Sequence, residues 1–193
     1  MKKQPEITEA TRQRILDAFW RLYTQYDIEK ITVNQLSAEA QIHRSSFYRY
    51  FPDVYAVLEL FQQQLIAAIR AEIKWIREDP SNSDPDPYAH AMADVLAKYA
   101  DKLYHLFHGS RGDQFKRFFT ENLGEEIKLM YGLSDSMENV DYYATVMGSI
   151  LLTNLTYWYE HREQYTFQEI NAKAQVIIGK GLREIQRKMR SRG

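Results

Sequence analysis

The chain has 193 residues, 45% of them hydrophobic and 26% charged, with a formal net charge of −1 and no cysteine. These proportions belong to a folded globular protein, and without cysteine both disulfides and cysteine-ligated zinc or iron–sulfur sites are excluded. The near-neutral total gives no global field for nucleic acid, although residues 1–51 carry eight Lys/Arg against six Asp/Glu, a local charge of +2.

The opening MKKQPEITEATRQRIL has lysines but no apolar run behind them, so it does not read as a signal peptide. The longest uncharged run, Tyr142–Tyr159, is short for a span of ~20 apolar residues and is dotted with Thr145, Ser149, Thr153, Asn154 and Thr156. The expectation is a cytoplasmic protein with no membrane segment.

Apolar residues recur at helical spacing and no hairpin signal stands out, which predicts an all-α fold. A first helix is expected from Thr8, as N-cap, to Tyr26, with Ile15, Phe19, Leu22 and Tyr26 on one face. Thr32 can cap a short helix carrying Leu36 and Ala40. After a turn at Gln41 and Ile42, a second short helix, HRSSFYRYF, carries Phe47 and Phe51. Ile15, Phe19, Leu22, Ile31, Leu36, Ala40, Ile42, Phe47 and Phe51 then close a three-helix core.

Pro52 disfavours helical geometry at Phe51, and Asp53 can cap a long helix to Glu78 with Val57, Phe61, Leu65, Ala68, Ile69 and Ile73 inward. DPSNSDPDP, Asp79–Pro87, is the clearest loop. Helix is expected again over Tyr88–Phe107, with a break at HGSRGD, and over Gln114–Tyr131, with Gly124 interrupting it. Two last helices, Met137–His161 and Phe167–Met189, follow. The first of these has two apolar stripes, so it needs cover on two sides. In the second, Phe167, Ile170, Ala174, Ile177, Gly181 and Ile185 form a seam, with small Ala174, Gly179 and Gly181 allowing close approach. That seam suits an intersubunit helix pair, with packing inside one chain as the alternative that spacing alone does not separate.

Two short helices joined by a tight turn and packed on a preceding helix describe a helix-turn-helix, whose second helix enters the major groove of DNA. With Phe47 and Phe51 inward, His43, Arg44, Ser45, Ser46, Tyr48, Arg49 and Tyr50 are left to point elsewhere. Arginine bonds guanine bidentately, hydroxyls reach phosphates or base edges, and tyrosine offers both a hydrogen bond and apolar area for a thymine methyl.

Residues 11–58 resemble the DNA-binding domain of the TetR family of bacterial transcriptional regulators. TRQRILDAFWRLY, ITVNQLSAEAQIHRSSFYRYF and Asp53 carry the resemblance. It implies a 1–52 DNA-binding helix-turn-helix domain, joined by a long helix to a 53–193 effector-binding and dimerisation bundle. LFHGSRGDQFKRFF is also similar to the effector domain of a subgroup common in Gram-positive bacteria.

The resemblance places Thr32 against a phosphate, Asn34 and Arg44 to Ser46 at bases, and Tyr48 and Tyr50 on the backbone, with Arg49 suited to either. His43 joins the candidate set. Three positions depart from the family pattern: Asp27 and Gln41 stand where glycine is usual, and Val54 replaces a frequent phosphate-contacting lysine.

The C-terminal part is rich in aromatics, and Tyr99, Leu103, Phe107, Phe115, Phe119, Tyr143 and Met147 are candidates to line a cavity for an aromatic or amphiphilic effector. Asp101, His105 and His108 share a helix face, but no fourth ligand is in view, and neither metal nor cofactor is expected. With no phosphate-cradling glycine loop, nucleophile elbow or paired acid/base constellation, the chain does not read as an enzyme. The expected function is a homodimeric, ligand-released repressor of a palindromic double-stranded DNA operator, dimerising through its last two helices. An adapter acting through a protein partner is the alternative.

Overall fold

The computed structural model describes residues 5–78, 85–131, 133–174 and 176, and among them every regular element is helical. In chain order these are α1 (Pro5–Tyr23), a 3-10 turn (Ile28–Lys30), α2 (Val33–Glu39), α3 (Arg44–Phe47) and α4 (Val54–Glu78). Then come α5 (Pro85–Lys98), α6 (Ala100–His108), α7 (Gly112–Asn122), α8 (Gly124–Met130) and α9 (Val140–Glu160). Helical backbone resumes over 167–174. The all-α expectation holds.

Several boundaries move for identifiable reasons. Proline suits a first helical turn, so α1 begins at Pro5 rather than after Thr8, and α5 at Pro85 rather than Tyr88. The α1 helix stops at Tyr23, where the chain turns with the Tyr26 amide bonded to the Leu22 carbonyl. Tyr26 is therefore 45% exposed instead of buried, and Leu16, Tyr23 and Ile28 fill the core in its place. Leu22 and Ile42 are only half-buried.

The expected single helix over 88–107 is broken at Tyr99, and α9 starts three residues late, after Asn139 in the left-handed conformation (φ 59°). Most of the expected Asp79–Pro87 loop, and the seam positions Ile177, Gly179, Gly181 and Ile185, lie outside the described residues.

The described residues pack as two units, 5–67 with 105–115, and 68–78 and 85–104 with 116–131, 133–174 and 176. In the first, Ile15, Phe19, Leu36, Phe47 and Val57 are sealed from solvent, and Phe61 on α4 lies 5.8 Å from Phe19 and stacks on Trp20 at 5.3 Å.

The corner between α6 and α7 docks on this set. His105 stands edge-on to Trp20, the Ser110 hydroxyl donates to Glu29 at 2.6 Å, and the Arg111 guanidinium lies 4.9 Å over the Tyr55 ring. Tyr23 packs so closely on Gly109 that a Cβ there would fall 3.3 Å from its ring and nearer still to its hydroxyl.

In the second unit α8 packs on α5 and α9. Gly148 lets α9 approach Ile127, whose methyl would lie 3.2 Å from an added Cβ. Thr166 and Glu169 cap the helical backbone that begins at 167 by bonding each other's backbone amides. The inner stripe of α9, including Ala144, Met147, Leu151 and Leu155, is buried. Of its second stripe, Val146 and Ile150 are half-exposed and Tyr157 is 47% exposed.

Candidate nucleic-acid interface

The sequence TVNQ opens α2 with a capping box. Thr32 Oγ1 accepts the Gln35 amide at 3.2 Å, while Gln35 Oε1 accepts the Thr32 amide at 2.9 Å. The Thr32 hydroxyl also donates to Gln35 Oε1 at 2.8 Å. A phosphate at this helix start would therefore meet a hydroxyl whose proton must turn away from Gln35.

Leu36 and Ala40 anchor α2 inward, and the helix then closes in a Schellman turn. The Ile42 amide bonds the Ser37 carbonyl at 2.9 Å, and the Gln41 amide bonds that of Ala38 at 3.0 Å. The residue at the left-handed position is Gln41, with φ 53°. From α1, Arg14 Nη2 donates to the carbonyls of Ala40 (2.6 Å) and Gln41 (2.9 Å). Asp27, the other residue standing for a glycine, has φ −61° and ψ 149°, an extended conformation any residue adopts, so it carries no such strain.

The second helix is shorter than the nine-residue stretch expected. Only Arg44–Phe47 is α-helical, and the backbone continues in tighter turns, with the Tyr50 amide on the Phe47 carbonyl. Phe47 and Phe51 are buried with ring centroids 5.9 Å apart, which fixes the segment inward. His43, Arg44, Ser45, Tyr48 and Arg49 are exposed, while Ser46 and Tyr50 are half-buried. Thr32 and Asn34 are exposed at the start of α2. All nine residues of the candidate set thus reach solvent, wholly or in part.

The exposed cations are not loose. Arg44 Nη2 donates to the Tyr48 hydroxyl at 3.1 Å and lies 5.6 Å over its ring, and Arg49 Nη2 donates to Ser46 Oγ at 3.1 Å. Between Ile31 and Pro52 the one carboxylate is Glu39, held by Arg21 at 2.6 Å. The face is therefore cationic and rich in hydroxyls and aromatics. Asp53 Oδ1 caps α4 through the Ala56 amide at 2.9 Å. Val54 is 6% exposed and serves the core.

The candidate effector residues fall in both units. Phe107 and Phe115 lie in the first, with ring centroids 5.1 Å apart and planes tilted by 38°. In the second, Leu103, Phe119 and Met147 are buried and Tyr143 is half-buried. Tyr99 donates its hydroxyl to Glu72, and burial, then that bond, push its pKa up to about 12.

Three pockets lined by described residues include none of these seven. One, of about 220 Å³, is lined by Tyr23, Asp27, His105, His108 and their neighbours; one of about 380 Å³ lies along Asn154, Tyr157, Ile170 and Lys173; and one of about 180 Å³ lies between Arg70 and Glu126. Asp101 is paired with Arg162 at 2.9 Å, and among the described residues no group of three or more His, Asp or Glu side chains is arranged to hold a metal. Nor is any described helix long and apolar enough to cross a membrane.

The residue that spacing does not reveal is Arg14. Its one sequence-level sign is a basic side chain beside buried Ile15, combined with a bend that lacks glycine.

Residues 15–62 match the family model of the bacterial regulatory proteins, tetR family. A search of curated proteins gives no match. Among solved structures, the fatty acid degradation regulator FadR from Bacillus halodurans is 16% identical, with 93% of this chain and 97% of that one covered and a TM-score of 0.64. A TetR transcriptional regulator from Streptococcus agalactiae is 16% identical over 88% and 94%, with a TM-score of 0.67. The Thermus thermophilus FadR repressor, in complex with lauroyl-CoA, is 17% identical over 86% and 93%, with a TM-score of 0.56. At these identities the likeness is one of fold. The chain has the fold of tetR-type transcriptional regulators, with their helix-turn-helix at its N-terminus.

Proposed function

We propose that this protein is a homodimeric DNA-binding transcriptional repressor whose hold on a palindromic operator is released by a small molecule. The observation that carries the reading is the two-sided segment 42–51. Phe47 and Phe51 are buried, while Arg44, Ser45, Tyr48 and Arg49 stand exposed on a face whose neighbouring carboxylate is neutralised by Arg21. In this reading Arg44, Ser45, Ser46 and Asn34 meet base edges. Thr32, Tyr48 and Tyr50 hold the backbone, with His43 and Arg49 flanking. The protein works by binding, not catalysis, and residues 1–52 and 53–193 divide the work between DNA reading and effector response.

Dimerisation through α9 and the helix that follows it accounts for the half-exposed second stripe of α9, and two-fold symmetry then suits two half-sites. The effector is an aromatic or amphiphilic molecule received in the C-terminal bundle, where Tyr99, Leu103, Phe119, Tyr143 and Met147 supply apolar wall; lauroyl-CoA is a sensible first probe. Release follows as a population shift: the effector must prefer a placement of α4 that does not suit the operator.

The test is fluorescence anisotropy with duplexes from the gene's own upstream region. Specific binding that drops with Arg44→Ala and Tyr48→Ala supports the reading. Binding at the nonspecific level on every such fragment, or variants that bind like the wild type, would sink it. The buried Val54 and the modest local charge favour a second reading, an adapter that contacts a protein partner. Salt separates the two, because DNA binding weakens steeply with salt through counterion release and a mainly apolar contact does not.

A further inference from the structure

We infer that Arg14 is the positioning residue of the DNA-reading segment, clamping the left-handed turn between α2 and α3 and so setting the direction in which α3 leaves. This rests on the DNA reading proposed above and adds to it a residue outside the reading face.

The turn demands an unusual conformation from Gln41, whose φ of 53° is unfavourable for any residue with a Cβ and is the reason glycine suits such sites. The Schellman bonds occupy the carbonyls of Ser37 and Ala38, which leaves those of Glu39, Ala40 and Gln41 at or just beyond the negative end of α2. Arg14 takes the last two with one nitrogen, at 2.6 and 2.9 Å. If Gln41 relaxed to negative φ, the peptide planes on either side of it would rotate and the two oxygens would no longer converge. The guanidinium therefore stabilises the left-handed state and not its competitor.

The anchor is firm because Arg14 precedes Ile15, which is fully buried, so its backbone is fixed by the core of α1. On the far side of the turn, three residues separate Gln41 from Ser45. A rotation at Gln41 would swing Arg44 and Ser45 before Phe47 could anchor them. The clamp thus does in this chain what a glycine would do by permissiveness.

The experiment uses the full chain with Arg14→Gln, Gln41→Gly and the double variant. Amide hydrogen exchange over 41–47 is followed in the free protein, and anisotropy is measured on the upstream operator and on a random duplex at several salt concentrations. The expectation is that Arg14→Gln speeds exchange roughly tenfold and weakens operator binding roughly tenfold, the scale of a hydrogen bond to a charged group. Random-duplex affinity and the salt slope should stay as in the wild type, and Gln41→Gly should restore both exchange and operator binding.

Unchanged exchange overturns the inference. So does a salt slope reduced by about 0.9 with both duplexes weakened and no rescue by glycine, because that is the signature of a lost phosphate contact. If the wild-type chain selects no operator at all, the DNA reading falls and the positioning role with it, while the exchange result still reports whether the clamp exists.

Discussion

Replacing Gly112 with alanine should destabilise the protein by about 2–4 kcal/mol, from overpacking against an unyielding neighbour together with a weakened hydrogen bond. A Cβ at Gly112 would fall 2.8 Å from the carbonyl carbon of Phe107 and closer still to its oxygen, whereas ordinary contact begins at 3.4 Å. The obstacle is backbone, so no side-chain rotation relieves it, and the chain must give by about 0.6 Å or more. Opening the turn also strains the bond from the Gly112 amide to the Gly109 carbonyl, 2.8 Å long.

For a chain of this size the melting temperature should fall by roughly 5–15 °C. Gly124 is the internal control, since nothing lies within 4 Å of its added Cβ, and Gly124→Ala should raise stability by about 0.5 kcal/mol. Thermal and urea melts of the two variants decide the matter. A Gly112→Ala protein that melts within about 2 °C of the wild type, or two variants that behave alike, would refute the reasoning.

Asp53→Ala removes the cap on α4 and should cost about 1 kcal/mol, readable as a lower urea midpoint with an unchanged slope. Thr32→Val dismantles the capping box at a similar ~1 kcal/mol and, on the DNA reading, weakens operator and random duplex together. The Ser110 hydroxyl, more than the charge of Arg111, holds the Glu29 carboxyl below its ordinary value of 4.5. The stability this contributes is present above that value and is lost as pH falls through the lower, folded one. Acidification should therefore lower the hydrogen-exchange protection of 105–115, taken against the intrinsic rate at each pH, and Ser110→Ala should weaken that pH dependence.

The helices of the N-terminal unit were readable because their signals are local. TVNQ caps a helix by itself, Pro52 and Asp53 mark an end and a start, and Phe47 and Phe51 are one turn apart. Tyr26 was misplaced because periodicity continues an apolar stripe past the point where the chain turns, and only packing shows that Ile28 takes the space. The docking of Ser110 on Glu29 joins residues 81 apart in sequence, and no spacing rule reaches that far. Arg14 was hidden for a related reason: its partners are main-chain carbonyls, which carry no sequence identity. Gln41 is anomalous in the sequence, and the structure gives the anomaly its physical form, a left-handed φ of 53°.

On the DNA reading, the bonds that Arg44 makes to Tyr48 and Arg49 makes to Ser46 bear on how the face discriminates. Each arginine that turns to a base must give up a partner it already has, so the gain from any duplex is a difference between two engagements. A random sequence, offering phosphates at imperfect distance, competes poorly against those internal bonds, while a matched guanine presents two acceptors at once. Side chains held this way raise the threshold for wrong sites more than they lower the affinity for the right one. On the DNA reading, a Tyr48→Phe protein loses a backbone contact and the hydroxyl partner of Arg44 together, so it should bind operator and random DNA more weakly, with the smaller loss on random DNA and hence poorer discrimination.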